Sequence, residues 1–191
     1  MSKSTEERLG ETCTLSGAGE NLEVFEAIKS RRSIRMYKRD PVPEDSIIKV
    51  LDSGRWAPSA GNRQPWSFIV LKDEEVKRKV AEATTYGIFL ADAPLGIVVV
   101  IDPQEASPRS GGVEDGAIAT QNMLLAAHAL GLGTCWIGSY NSAYEDKVKE
   151  ILKIPRNRRV LSIISIGYPD ESPTSARREL SEIVFTDKYG G

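Results

Sequence analysis

Two polar segments carry the residues that could do chemistry. The first, Arg31-Arg32-Ser33-Ile34-Arg35, sets three guanidinium groups around a hydroxyl. In an extended chain alternate side chains share a face, so Arg31, Ser33 and Arg35 would point one way. Such a face suits a phosphate, because each guanidinium can bond two oxygens at once. The other reading of the same run is a solvated basic surface. The second segment, Pro58-Ser59-Ala60-Gly61-Asn62-Arg63-Gln64, is a polar loop pinned between Trp56 and Trp66. Its amides and hydroxyl can donate and accept hydrogen bonds, as a flat heteroaromatic ligand requires, although a capped turn before a strand has similar composition. A further basic pair, Arg177-Arg178, lies near the C-terminus.

Other chemistries lack their residues. The chain holds only Cys13, Cys135 and one histidine, His128. That leaves no metal-ligand spacing, no disulfide framework and no Ser-His-Asp or Cys-His set. Cys135 sits among apolar neighbours and reads as a packing residue. Glu114 and Asp115 open a long helical segment, where negative charge favours the helix dipole. Gly131-Leu132-Gly133-Thr134 follows that helix and lacks the third glycine of a dinucleotide loop, so both glycines are expected to end the helix and turn the chain. Gly138, after Trp136-Ile137, either lets backbone approach a ring and offer it an N–H, or simply ends a strand. Anion binding beside a flat polar pocket, without acid–base side chains, points to a bound cofactor that carries the reaction.

The elements that must position these groups fit one domain. The chain has 191 residues, 40% hydrophobic and 27% charged, enough for a sizeable core. A net charge of -2 gives no global attraction to nucleic acid or membrane, and no apolar run has signal-peptide or membrane-spanning character. The expected setting is intracellular and cytoplasmic. Residues 1–20 read as a flexible extension, 21–168 as the compact domain, and 169–191 as an arm whose Ile183-Val184-Phe185 patch wraps a partner subunit. The pattern predicts a helix over 22–30, capped by Asn21 with Leu22, Phe25 and Ile28 on one side, then an extended basic segment over 31–39. Helices follow near 43–54, from Asp73 onward, near 113–130 and near 143–152, with strands near 66–71, 95–101 and 160–166. The run Leu95–Ile101 predicts a strand covered on both faces, and 102–112 a flexible loop and candidate lid. The 113–130 helix is apolar nearly all round, so it must be buried on more than one side. It either packs on its own sheet and a second subunit, with His128 as a core or interface residue, or forms the centre of a monomer.

These segments, taken in order, resemble the FMN-dependent nitroreductase family from about Phe25 to Phe185. The resemblance rests on Arg31 to Arg35, Ala57-Pro58-Ser59 with Asn62, Gln64, Pro65 and Trp66, Asp115-Gly116-Ala117, the helix from Gln121 to Gly133, Trp136-Ile137-Gly138, and Arg177 before Leu180 to Val184. It implies an α+β fold, a mixed, mainly antiparallel sheet flanked by helices, in an intertwined homodimer with FMN at the subunit interface. Arg31, Arg32, Ser33 and Arg35 would hold the FMN phosphate, ribityl chain and pyrimidine edge, with Arg177 or Arg178 completing the phosphate site. Pro58, Ser59, Asn62 and Gln64 would reach the same flavin from the opposite subunit. Trp136 and the backbone at Ile137, Gly138 and Ser139 would face the ring, Gly138 near N5. The implied activity is hydride transfer from NADH or NADPH, through flavin N5, to nitroaromatics, quinones or related small-molecule acceptors in a ping-pong cycle. The resemblance calls for no metal and no catalytic side chain. A non-catalytic FMN store or sensor, and a flavin-free dimeric interaction module, are the competing readings.

Overall fold

The computed structural model describes residues 22–190. The expected extension over 1–20 and the Asn21 cap lie outside the described residues. Five helices are α1 (Val24–Ser30), α2 (Glu44–Arg55), α3 (Glu74–Ala83), α4 (Val113–Ala129) and α5 (Glu145–Leu152). Four strands are β1 (Trp66–Leu71), β2 (Leu95–Ile101), β3 (Gly133–Gly138) and β4 (Arg159–Gly167). They form one sheet in the order β1-β2-β4-β3, with every strand pair antiparallel. Among the described residues, parallel character enters only through the isolated bridge Ser33↔Thr134 beside β3.

β2 shows why the fold is layered. All seven of its residues are buried, because alternate side chains feed two separate cores. Leu95, Ile97, Val99 and Ile101 pack with Ile47 and Val50 of α2 and Met123, Leu124 and Ala127 of α4. Val98 and Val100 pack with Val80 and Ala81 of α3 and Val148 of α5 on the other side. Double coverage is thus achieved on an antiparallel sheet. α3 begins where expected, with the Asp73 carboxylate accepting from the Val76 N–H at 2.9 Å.

Three expectations change. α1 starts at Val24, and its apolar stripe is not buried in this chain: Phe25 is 70% and Ile28 55% exposed, and of α1 only Ala27 enters the core. Residues 102–112 are a string of turns held down by Asp102, whose N–H donates to Pro65 O at 2.8 Å, and by buried Ala106. Gly131, at φ +77°, ends α4, but Gly133 has another task. It opens β3 where a Cβ would lie 2.7–2.9 Å from Ile34, so its missing side chain admits the 31–35 segment against the strand. No described helix is long and apolar enough to cross a membrane.

The turn after β3 is fixed by a buried carboxylate that periodicity could not reveal. Glu145 accepts from Arg159 Nε and Nη2 at 2.8 Å each, from Val160 N–H at 2.9 Å and from Asn141 N–H at 3.0 Å. Burial alone would raise its pKa, yet the Arg159 hydrogen bonds and the two backbone donors win and hold it below the ordinary carboxylate range. The stabilisation is therefore present above the unfolded value of about 4.3 and is lost as pH falls through the lower folded value. Glu145→Gln should destabilise the fold by about 2 kcal/mol at pH 7. Urea unfolding of both proteins across pH 3–7 checks this; a gap that fails to narrow on acidification would contradict the assigned role.

Candidate functional site

The basic segment leaves α1 at its C-cap, Arg31, and runs alongside β3. Ile34 N–H donates to Thr134 O at 2.9 Å, while Glu171 Oε1 accepts from the N–H groups of Arg35 and Met36 at 2.5 and 3.1 Å. The segment is extended, with Ile34 as its buried member, Arg31 and Ser33 half-buried and Arg35 exposed with its guanidinium 5.7 Å from the Phe89 ring centroid. Arg35, Ser33 and Arg31 favour the Cys135 thiolate. Burial nevertheless dominates and pushes that thiol up.

Arg31 is the centre of the site. Its half-buried guanidinium is held below its ordinary pKa first by burial, then by the like charges of Arg177 and Arg32. Arg177, from the far end of the chain, is thus near enough for its charge to act on Arg31. Among the described residues neither Arg31, Arg32 nor Arg177 has a carboxylate partner: Arg177 donates only to Ser175 Oγ and Ala176 O, both at 2.9 Å. Arg32 is partly occupied, since its Nη1 donates to Lys29 O and Arg31 O at 2.6 and 2.9 Å and so caps α1. Arg178 does not join the cluster; its guanidinium is tied to Glu182. Nearby, His128 Nε2 lies 2.7 Å from Ser30 Oγ, and burial with Arg31 and Arg32 lowers its pKa. Cations with unused forks and no counter-charge fit a dianion.

The outer edge of β3 continues from this cluster. Ser139 N–H donates to Leu161 O at 3.1 Å, so the odd-numbered residues bond inward to β4. Thr134, Trp136 and Gly138 consequently present their backbone groups outward. Ile34 takes the Thr134 carbonyl and the Tyr144 hydroxyl takes the Gly138 carbonyl. A Cβ built at Gly138 would meet nothing within 4 Å, so the backbone there is open to a flat ligand. Two expectations need correction. The Trp136 side chain packs into the α4-side core, and Ser139 is fully buried with its N–H already used. Ile137 also turns its side chain inward, into the α3-side core.

The Pro58–Gln64 loop lies elsewhere in the same chain. It precedes β1, the opposite edge strand, about 14 Å away across three strand spacings. Asp115, at the start of α4, accepts from Ala60 N–H at 2.9 Å, whereas the Ser30 contact of His128 marks that helix's far end. With a helical rise of about 1.5 Å per residue, these contacts stand about 20 Å apart. Gly61, Asn62 and Gln64 take positive φ values of 62°, 54° and 51°, closed by Gln64 N–H to Ser59 Oγ at 2.9 Å. One chain therefore cannot bring this loop onto the outer edge of its own β3. Two cavities, of about 580 and 250 Å³, are lined in part by Arg35 and by Gln64 respectively, and neither joins the loop to the arginines.

A family model described as the nitroreductase family matches residues 28–88 and 83–168. A Methanothermobacter thermautotrophicus protein, provisionally named an NADH dehydrogenase/NAD(P)H nitroreductase, is 41% identical over 172 residues, covering 88% of this chain and 89% of the relative. An FMN-dependent nitroreductase from Clostridium difficile superposes with a TM-score of 0.77 at 35% identity, covering 85% of this chain and 98% of that one. A provisionally named nitroreductase from Desulfovibrio desulfuricans, solved in complex with FMN, gives 0.79 at 34% identity, over 86% and 96% of the two chains.

The two β3 glycines should separate folding from binding. Gly133→Ala forces a Cβ into Ile34 and should destabilise the protein by roughly 1–3 kcal/mol. Gly138→Ala meets open space and should change stability by no more than about 0.5 kcal/mol, yet weaken ligand uptake at the strand edge. Thermal unfolding together with flavin titration of both variants measures the contrast. Equal stability losses would show that the edge at Gly138 is not open.

Proposed function

The chain belongs to the nitroreductase family, and from that premise we propose that it is an FMN-dependent NAD(P)H oxidoreductase working as a homodimer. The observation that carries the reading is the half-buried Arg31, which has no carboxylate partner among the described residues and feels the charge of Arg177, at one end of an open strand edge. In the proposed site, Arg31 and Arg177 hold the phosphate, with Arg32 adding charge. Ser33 lies along the linker and Arg35 towards the ring. The Gly138 N–H faces the ring, and the partner's loop covers it with Pro58, Ser59, Asn62 and Gln64.

Bound there, FMN would supply a hydride acceptor and donor at N5, taking hydride from NADH or NADPH and passing it, after nicotinamide leaves, to a nitroaromatic, quinone or related electrophile. The protein's own part is to bind, orient and stabilise charge. Arg35 and the Gly138 N–H stabilise negative charge that builds on the ring. No described side chain in the site is set up as an acid–base catalyst: burial keeps the Cys135 thiol protonated, and His128 is paired with Ser30.

Arg31→Ala should weaken FMN binding by about 2–3 kcal/mol, roughly a hundredfold in Kd. Fluorescence titration of stripped protein measures it, and unchanged affinity would remove Arg31 from the site. Anaerobic mixing of the flavin-loaded protein with NADH or NADPH should bleach the flavin band at catalytic rates; persistent colour would favour a flavin store or sensor.

The shared site has its own test. Neither Arg31→Ala nor an Asn62→Ala/Gln64→Ala variant should retain FMN as a homodimer. Their heterodimer, however, pairs one intact arginine cluster with one intact loop, and should bind one FMN per dimer. A heterodimer with no flavin would mean that loop and arginines act within a single chain.

A further inference from the structure

Asp115 is the most deeply buried carboxylate among the described residues, at 3% exposure, and it has no cationic partner there. It stands in the first turn of α4, where its charge is expected to serve the helix dipole. Instead Oδ1 reaches out of the helix to accept from Ala60 N–H at 2.9 Å, and Oδ2 is buried with no partner. The bond lands on a loop that is otherwise closed on itself. Gln64 N–H returns to Ser59 Oγ, Asn62 N–H to Ser59 O, and Gln64 Nε2 to Asn62 O at 3.2 Å. Those bonds set the loop's shape but not where it points.

α4 is a firm mount for this contact. Asn122 Nδ2 donates to Ser53 O of α2 at 3.1 Å, and Gly54 is backed so closely against Met123 that a Cβ would lie 2.9 Å from its side chain. The helix pair cannot slide without breaking that fit, so the loop between α2 and β1 inherits its position from α4. Asp115 and Asn122, seven residues apart, occupy the same face of α4 for this purpose.

We propose that Asp115 is a positioning residue for the cofactor: its carboxylate fixes the angle at which Pro58, Ser59, Asn62 and Gln64 of one protomer reach the flavin held by the other. This rests on the flavin reading above. It adds a residue that touches neither cofactor nor substrate but sets the geometry of those that do.

Cutting the bond from either side tests the proposal. Asp115→Ala removes the acceptor, and Ala60→Pro removes the donor N–H at the first position of a short 3-10 turn, where proline is tolerated. Each should raise the FMN Kd about tenfold and shift the visible flavin band while the protein stays dimeric. The double variant should be no worse than the weaker single one, since one bond is lost in all three. Asp115→Asn keeps an acceptor oxygen and should restore the wild-type spectrum and Kd to within about threefold, with kcat recovering in parallel; if Asp115→Ala does not fold, this variant and Ala60→Pro carry the comparison. Folded Asp115→Ala or Ala60→Pro protein with wild-type Kd and spectrum, whatever its Tm, would overturn the proposal. Arg31→Ala is the control: if it too retains wild-type FMN affinity, the flavin reading itself has failed.

Discussion

A half-buried positive charge with no counter-charge among the described residues is the constraint around which the site is arranged. Burial and the approach of Arg177 and Arg32 both make the Arg31 cation less favourable. A carboxylate would relieve that, and among the described residues none is paired with Arg31, Arg32 or Arg177. What partly offsets the repulsion is the position of the cluster. Arg31 caps the C-terminus of α1, and Ser30 touches His128 in the last turn of α4. Two helix C-termini meet there, and the partial negative charge at such ends favours cations without occupying their forked donors. Only Arg32 turns a donor back to the helix, at Lys29 O and Arg31 O. The remaining donors are left for an anion.

The same constraint explains why one chain is incomplete. The cluster and the open edge of β3 lie on one side of the sheet, and the polar loop lies beyond β1 on the other. A sheet with apolar cores on both faces cannot fold to bring its edges together, which is why the proposed site takes its loop from a second copy. The surface has matching features. Phe25 and Ile28 of α1, Ile118 of α4, and Leu180 and Val184 of the C-terminal segment are apolar and exposed in the single chain. Ile118 lies on the part of the nearly all-apolar α4 that its own sheet leaves uncovered. Exposed apolar surface of this kind is a mark of association. In the homodimer reading the surface that joins the subunits and the one that holds the cofactor become continuous.

Much of the fold was legible because its signals are local. The unbroken run Leu95–Ile101 requires cover on both faces, and Asp73 followed by acidic residues announces a helix start. The segment from Arg31 to Arg35 is extended as expected, bridging to β3 through Ser33 and Thr134. The errors share a different cause. Gly133 resembles a helix terminator, but its φ is ordinary and its task, admitting Ile34, depends on a segment nearly a hundred residues away. Trp136 has the composition of a ligand-facing aromatic and the register of a core residue. Asp115 reads as a helix-start charge, yet its Oδ1 binds a distant N–H on the loop before β1, and Glu145, which gave no sequence signal, binds the N–H of Val160 at the start of β4. A carboxylate's partner is chosen by tertiary proximity, which local periodicity does not encode. Arg178 shows the converse, since a nearby Glu182 claims it and leaves Arg177 for the cluster.

Cys135 shows how the site keeps its own side chains out of the reaction. A thiol beside Arg31 and Arg35, accepting help from Ser33, has the surroundings that normally generate a reactive thiolate. Here desolvation is the larger effect. Cys135 is 3% exposed, and removing water penalises the thiolate more than the two guanidinium groups and the hydroxyl favour it. Its neighbours can therefore direct positive charge outward, towards a bound anion, without creating a competing nucleophile beneath it. Burial, and after it the like charges of Arg31 and Arg32, bias His128 towards the neutral ring. Both groups that titrate nearest physiological pH are thus kept uncharged, and the field at the site is set by arginines, which remain protonated throughout. Such a site offers a permanent positive end and a fixed N–H edge but no mobile proton, and that arrangement suits chemistry carried by the bound group.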